Sequence, residues 1–174
     1  RVKQITSVSD DSVHIVDALN EAQERADVIL ITGGLGPTKD DITKLTLSKY
    51  FNMPLRQDNA TLDHITSIFD RLNRPMIESN IRQADVPDGC TVIQNANGTA
   101  PCMWFEHHGK IIVSMPGVPF EMMYLMQEEI IPRIREKFKL PFIVHQTILT
   151  AGLGESFLAE EIAEIEDELP PHIR

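Results

Sequence analysis

An ammonium, two carboxylates and a hydroxyl follow directly on three glycines in the run Gly33-Gly34-Leu35-Gly36-Pro37-Thr38-Lys39-Asp40-Asp41. Glycine admits positive φ angles and lets backbone approach a ligand where a Cβ would block it. Free N–H groups at such a turn, where a strand feeds a helix, form a seat for phosphate. Asp40 and Asp41 beside that seat suit a divalent ion bridging carboxylate and phosphate, and hard oxygen ligands favour a magnesium-like ion. In this reading Lys39 offsets charge as it develops on a phosphoryl group, and Asp40 or Asp41 binds metal or orients an attacking water, with Asp41 the first candidate.

Two better-known phosphate motifs do not fit. A Walker loop requires Lys-Ser/Thr directly after its last glycine, and Gly36 is followed by Pro37, Thr38 and Lys39. A dinucleotide fingerprint beginning at Gly34 would place its third glycine at Lys39 and crowd the turn with acidic charge.

The elements that must position these groups follow from apolar patterning. Val28, Ile29, Leu30 and Ile31 form an unbroken apolar run, expected for a parallel strand covered on both faces. Thr38 and Asp41 have the spacing of a capping box for a helix running through Ile42, Leu45 and Tyr50. Upstream, residues 1–8 read as a strand, Ser9-Asp10-Asp11-Ser12 as N-cap candidates, and Ile15, Leu19, Ala22 and Ala26 as one helix face. This βαβ unit would make the two strands parallel and bring Asp10 and Asp11 to the same carboxyl edge as the glycine turn, with one of them acting as a cap.

Farther along, Asn59 caps an expected helix with the stripe Leu62, Ile65, Phe69 and Leu72. A loop-rich stretch, 76–97, holds a short helical turn over residues 79–84 and a strand around 91–93. Strands at 102–105 and 110–115 flank the polar tip Glu106-His107-His108-Gly109, whose histidines read as exposed rather than as metal ligands. Pro116-Gly117-Val118-Pro119 is a second glycine turn, opening a helix at Phe120. Both turns would share the edge where α/β ligands bind, with Glu121 beside them. Met122, Met123 and Met126 read as core filling, and Pro132 kinks or ends the helix. After a linker over 137–141 come a strand over 142–150 and a helix with Leu158, Ile162, Ile165 and Leu169 on one face. One strand and one helix cannot bury a core, so residues 142–174 read as the opening of a second, truncated α+β domain after a first domain over 1–138.

The chain of 174 residues carries a net charge of −10 and only two cysteines, Cys90 and Cys102. This length needs no disulfides, and two unpaired thiols point to an intracellular, cytoplasmic protein. No stretch approaches the roughly 20 apolar residues of a membrane helix. The acidic charge and the lack of a basic run argue against nucleic acid as a partner, whereas a small phosphate ligand remains compatible.

TGGLGPTKDDIT (32–43), NANGTAP (95–101), MPGVPFEM (115–122) and GLGES (152–156), in that order, resemble the CinA (competence/damage-inducible) family. The front portion of that family is a molybdopterin-binding-like (MoCF) domain, more distantly similar to MogA and MoeA of molybdenum cofactor synthesis. The resemblance implies a three-layer α/β/α domain with a mostly parallel sheet and metal-dependent ADP-ribose pyrophosphatase activity. The implied ions are a divalent metal of magnesium or cobalt character, with potassium as a further candidate. Implied ligand contacts are Gly33, Gly34, Gly36, Thr38, Lys39, Asp40 and Asp41, then Asn80 and Gln83, then Gly98, Thr99 and Ala100, then Pro116, Gly117 and Glu121; Asp10 matches an acidic position of the first loop. The resemblance also implies a homo-oligomer, a dimer or larger. It places a strand before Arg1 and, in full-length members, a nicotinamide-nucleotide amidase domain beyond the end of this sequence. Two alternatives remain: a molybdopterin-binding module without hydrolysis, against which Leu35 weighs because the molybdopterin relatives carry threonine there, and a competence-related regulatory protein.

Overall fold

A computed structural model of the chain describes residues 1–140, 144–170 and 173. The chain divides into two compact units, Arg1–Lys139 and Leu140–Arg174.

The first unit is built on a four-stranded sheet with the order β1-β6-β5-β4, formed by β1 (Val28–Thr32), β4 (Thr91–Ile93), β5 (Cys102–His107) and β6 (Lys110–Met115). β1 and β6 run parallel, while β6–β5 and β5–β4 are antiparallel. The sheet is therefore mixed, with a smaller parallel share than expected, because the hairpin β5–β6 enters its middle. His108 and Gly109 close that hairpin with φ angles of 50° and 76°, the left-handed pair that suits a two-residue turn.

Helices cover both faces. On one side α1 (Ser12–Arg25) and α2 (Thr43–Tyr50) bury Leu19 and Leu47 against Ile29, Met103, Phe105 and Ile112. On the other, Leu125 and Ile130 pack on Trp104, Ile111, Val113 and Met115. The alternation of β6 divides its residues between the two cores, Ile112 on one face and Ile111 and Val113 on the other. This is the α/β/α sandwich expected.

Several local expectations change. Residues 1–9 form no strand and are exposed. Val2, Ile5 and Val8 find no ladder partner, and an isolated extended segment has nothing to satisfy its backbone. The βαβ unit is thus not formed, and β1 lies at the sheet edge with Leu30 43% exposed rather than covered on both faces. The α1 cap is Asp11, whose carboxylate accepts the N–H groups of Val13 and His14. Asp58, not Asn59, caps α3 (Asn59–Arg71), accepting from Thr61 N. Leu72, placed on its buried stripe, is 61% exposed one residue past the helix end.

A two-stranded antiparallel sheet of β2 (Leu55–Gln57) and β3 (Asp85–Pro87) has no apolar signature in the sequence. Between its strands in the chain lie α3, α4 (Glu78–Ile81) and a 3₁₀ turn at Arg82–Ala84. After α5 (Pro119–Tyr124), a π-helix spans Leu125–Ile130 and continues into α6 (Ile131–Lys137). Pro132 accounts for this: with no N–H to give to the preceding turn, it widens the helix rather than ending it. Met122 and Met126 pack against the core, but Met123 is 58% exposed.

In the second unit, residues 144–150 form no strand; the expected strand began at 142, and residues 142 and 143 lie outside the described ones. Of its apolar stripe, α7 (Glu155–Asp167) fully buries no residue: Leu158 and Ile162 are half-buried and Ile165 is exposed.

Candidate functional site at the glycine turns

β1 ends at Thr32, and the parallel register Thr32↔Met115 brings the two glycine turns out of the sheet side by side. The N–H of Gly33 continues the ladder, donating to Met115 O at 3.0 Å. A Cβ on Gly117 would stand 3.2 Å from Gly33 Cα, so the turns touch through backbone. Gly33 and Gly34 have φ of 92° and 67°, a conformation that penalises any side chain. Gly34 is further constrained because Thr43 N donates to its carbonyl and the Thr43 hydroxyl fills the space a Cβ would take.

Thr38 and Asp41 do pair, but not as a helix cap. Asp41 Oδ2 accepts from Thr38 N at 2.9 Å and Thr38 Oγ1 at 2.5 Å, and α2 starts two residues later with Ile42 at its N-cap position. The pair closes a turn of its own, reinforced by Asp41 N donating to Thr38 O. Burial pushes the Asp41 carboxyl up, yet hydrogen bonds from Thr38 and Gly36 and the charge of Lys44 bring it below the ordinary aspartate range. Asp41 is therefore an ionised clasp on the glycine loop. Lys39 and Asp40 at its tip are exposed.

The hydrogen-bond pattern decides which backbone donors are available. Gly33 N–H is committed to Met115 and that of Thr38 to Asp41, whose carboxylate also packs against Gly36. Among the described residues no hydrogen bond engages the N–H of Gly34, Leu35, Lys39 or Asp40. These four, rather than the whole glycine run, are the free donors.

A second pair of segments meets at Glu121, in the first turn of α5. Asn95, 1% exposed, donates from Nδ2 to Glu121 Oε2 at 2.6 Å and to Ala100 O at 3.1 Å. Gly98 packs on the same carboxylate so closely that a Cβ there would overlap it. Glu121 thus holds the loop carrying Gly98, Thr99 and Ala100 against α5. Asn95 could not have been singled out from sequence, since its role depends on a glutamate 26 positions away. Beside this loop lies an open groove of about 660 Å³ lined by His64, Gln94, Ala96 and Tyr124. His64 Nε2 lies 3.2 Å from Gly98 O.

Asn80 and Gln83 sit on the α4–3₁₀ segment, where Asn80 Oδ1 accepts from Ile77 N and Gln83 is 5% exposed. Lys44 of α2 reaches this segment, donating to Arg82 O at 3.0 Å and Gln83 O at 3.4 Å. Burial lowers the Lys44 ammonium from its ordinary value, partly offset by Asp85 and Asp41. Asp10 stands exposed before α1, and no hydrogen bond joins it to the other candidates among the described residues. The strand meant to deliver it to the sheet edge does not form.

No group of three or more His, Cys, Asp or Glu side chains among the described residues could cage a metal. A hard divalent ion does not need one: magnesium takes one or two carboxylates and completes its shell with substrate phosphate and water. The exposed Asp40 and the second oxygen of Asp41 fit that donor set.

This α/β/α sandwich falls in the molybdopterin-binding class: the family model described as "probable molybdopterin binding domain" matches residues 1–136. The chain is 48% identical over 174 residues to a CinA-like protein of Flavobacterium psychrophilum, covering 99% of this chain and 42% of that protein. A CinA-like protein of Cytophaga hutchinsonii is 42% identical over 173 residues, covering 99% and 41%. Among solved structures, the protein CinA of unknown function from Thermoplasma acidophilum superposes with a TM-score of 0.62 at 31% identity, covering 74% of this chain and 73% of that one. The chain belongs to the CinA-like family and carries the domain described as a probable molybdopterin binding domain. It spans about two fifths of the length of the curated relatives it matches. No described helix is long and apolar enough to cross a membrane.

Proposed function

We propose that the paired turns bind a nucleoside diphosphate sugar and hydrolyse its diphosphate, with ADP-ribose as the substrate and AMP and ribose 5-phosphate as products. The observation that carries this reading is the set of N–H groups at Gly34, Leu35, Lys39 and Asp40 that no described residue engages, beside the exposed Lys39 ammonium and Asp40 carboxylate, which pair with no described residue. Backbone donors fix nonbridging phosphate oxygens without the entropy cost of ordering long side chains. Lys39 offsets the charge that builds on the leaving phosphate, and the groove beside Ala96 leaves room for the nucleoside. Water adds to one phosphorus, the bridging P–O bond breaks, and Asp40 holds or accepts the proton that the water gives up. Asp40 with the second oxygen of Asp41 would hold a divalent ion, which when bound neutralises the diphosphate and lowers the barrier to attack. Asp41 keeps the turn in shape through Thr38.

A binding module for molybdopterin without hydrolysis is the second reading, favoured by the family description. One assay separates them. The full-length protein is incubated with ADP-ribose and with molybdopterin, with and without magnesium or cobalt. AMP release that requires metal and is lost in Asp40→Asn supports hydrolysis. Molybdopterin binding with no AMP release supports the second reading and overturns the first.

A further inference from the structure

We propose that the groove between α3 and the π-helix is a nucleobase site that selects a base carrying an exocyclic amino group, with Tyr124 giving the ring a surface to stack on and Glu129 accepting from the amino group. The groove has a volume of about 660 Å³, and both residues line it. In a continuous α-helix they could not do so together, because five residues at 3.6 per turn leave two side chains about 140° apart. The π-helix removes that offset: its hydrogen bonds join residues five apart, as in Ile131 N donating to Met126 O. Leu125 and Ile130, also five apart, both fall on the core side and are fully buried. The widened turn therefore sends one pair into the core and the pair one residue earlier into the groove.

The facing wall comes from α3, where His64, Ser67 and Arg71 recur at spacings of three and four and so share a face. His64 is already engaged, since its Nε2 lies 3.2 Å from Gly98 O and a carbonyl can only accept. Gln94 is engaged too, donating to Asp58 and Thr61. Glu129 keeps capacity for a ligand: Oε2 accepts from Arg133 at 3.1 Å, and Oε1 has no partner among the described residues. An acceptor-only carboxylate takes an amino group and rejects a keto oxygen, which would leave two acceptors facing each other unpaired. A tyrosine ring offers a flat apolar face on which a base stacks. From Pro119 to Tyr124 the helix rises roughly 8 Å, and Pro119 stands two residues after the Gly117 that touches Gly33. One ribose and one phosphate can cover that step from groove to turns.

The inference rests on the proposed binding of a nucleoside diphosphate sugar, but its test does not need hydrolysis. Dissociation constants of the full-length protein are measured by calorimetry for AMP, for IMP, which carries a keto oxygen in place of the amino group, and for ribose 5-phosphate, which has no base. The variants are Glu129→Gln, Tyr124→Ala, Tyr124→Phe and, as a control, Arg133→Met. The wild type should bind AMP about tenfold or more tighter than IMP, the scale of one charge-assisted hydrogen bond. In Glu129→Gln the ratio should fall toward one, because an amide donates as readily as it accepts. Arg133→Met removes the ion pair but not the carboxylate and should keep the ratio. Tyr124→Ala should weaken AMP and IMP alike, Tyr124→Phe should not, and ribose 5-phosphate should bind all variants equally. A variant that merely folds less well lowers the binding fraction without changing the AMP-to-IMP ratio. The proposal is overturned if the wild type binds neither nucleotide or both equally, if the preference survives in Glu129→Gln, or if Tyr124→Ala binds AMP as tightly as wild type. Selective AMP binding without AMP release from ADP-ribose leaves the base site standing and defeats the hydrolytic reading.

Discussion

Gly33 and Gly117 meet backbone to backbone: a Cβ on Gly117 would lie 3.2 Å from Gly33 Cα, and Gly33 cannot retreat because its N–H is tied to Met115 O. The two turns are therefore one surface. Gly117→Ala is expected to cost about 1–3 kcal/mol through overpacking. It should cost function more, because a small displacement of a reacting group can lower turnover by about 10²-fold. Thermal unfolding and AMP release on the same sample check this; turnover falling only as far as the folded fraction would separate the turn from the chemistry.

Gly98 and Glu121 stand in a similar relation, with a different outcome. A Cβ on Gly98 overlaps a carboxylate at the end of a flexible side chain, which can swing away. Gly98→Ala should cost no more than the Asn95–Glu121 bond it breaks, about 1 kcal/mol, while loosening the 95–100 loop. Glu121→Ala should cost about 1 kcal/mol, the net worth of one hydrogen bond, since Asn95 keeps its bond to Ala100 O. Backbone exchange in the loop should rise in both variants.

Asp58 makes stability depend on pH in the acid range. Burial raises its pKa, but hydrogen bonds from Thr61, Arg56 and Gln94 outweigh burial and bring it below the ordinary value of 3.8. The folded form is the weaker base, so its stabilisation is complete above the unfolded pKa and disappears as pH falls through the lower folded value. Asp58→Ala removes the α3 cap and should destabilise by about 1–2 kcal/mol near neutrality. The gap between wild type and variant should hold constant from pH 7 to about 5 and close below 3.8, read by denaturant unfolding at each pH.

Both thiols should be inert in the folded protein. Burial pushes Cys90 up to about 11 and Cys102 up to about 12, leaving almost no thiolate at pH 8. A chromogenic disulfide reagent should react at both positions only after denaturation, and rapid labelling of the native protein would show that the core around them opens.

Much of this was legible in the sequence because local physics dictates it. The glycine turn after Val28–Ile31, a hairpin with its tip within Glu106–Gly109 and a helix opening at Phe120 each follow from residues that admit few other conformations; the structure narrows the tip to His108-Gly109 and starts the helix one residue earlier, at Pro119. The sandwich was implied by the family resemblance of the motifs, whereas the apolar run over Val28–Ile31 gave the strand but not its place at the sheet edge. The expected strand over residues 1–8 failed for the complementary reason: a segment can read as a strand, but a partner must exist to make one. The Thr38–Asp41 pairing was visible as a spacing, yet the same spacing serves a helix cap and a free-standing turn, and where α2 begins decides between them.

The sequence alone thus determined the chemical inventory and the local turns, since backbone preference and side-chain type act over a few residues. Only the tertiary structure decided which groups are free to act. Gly33 spends its N–H on Met115, Thr38 spends its own on Asp41, Glu121 is taken by Asn95, and Lys44 bridges to Gln83. Each of those outcomes is a competition for hydrogen-bond partners, and apart from the Asp41 clasp the partners lie far apart in the chain.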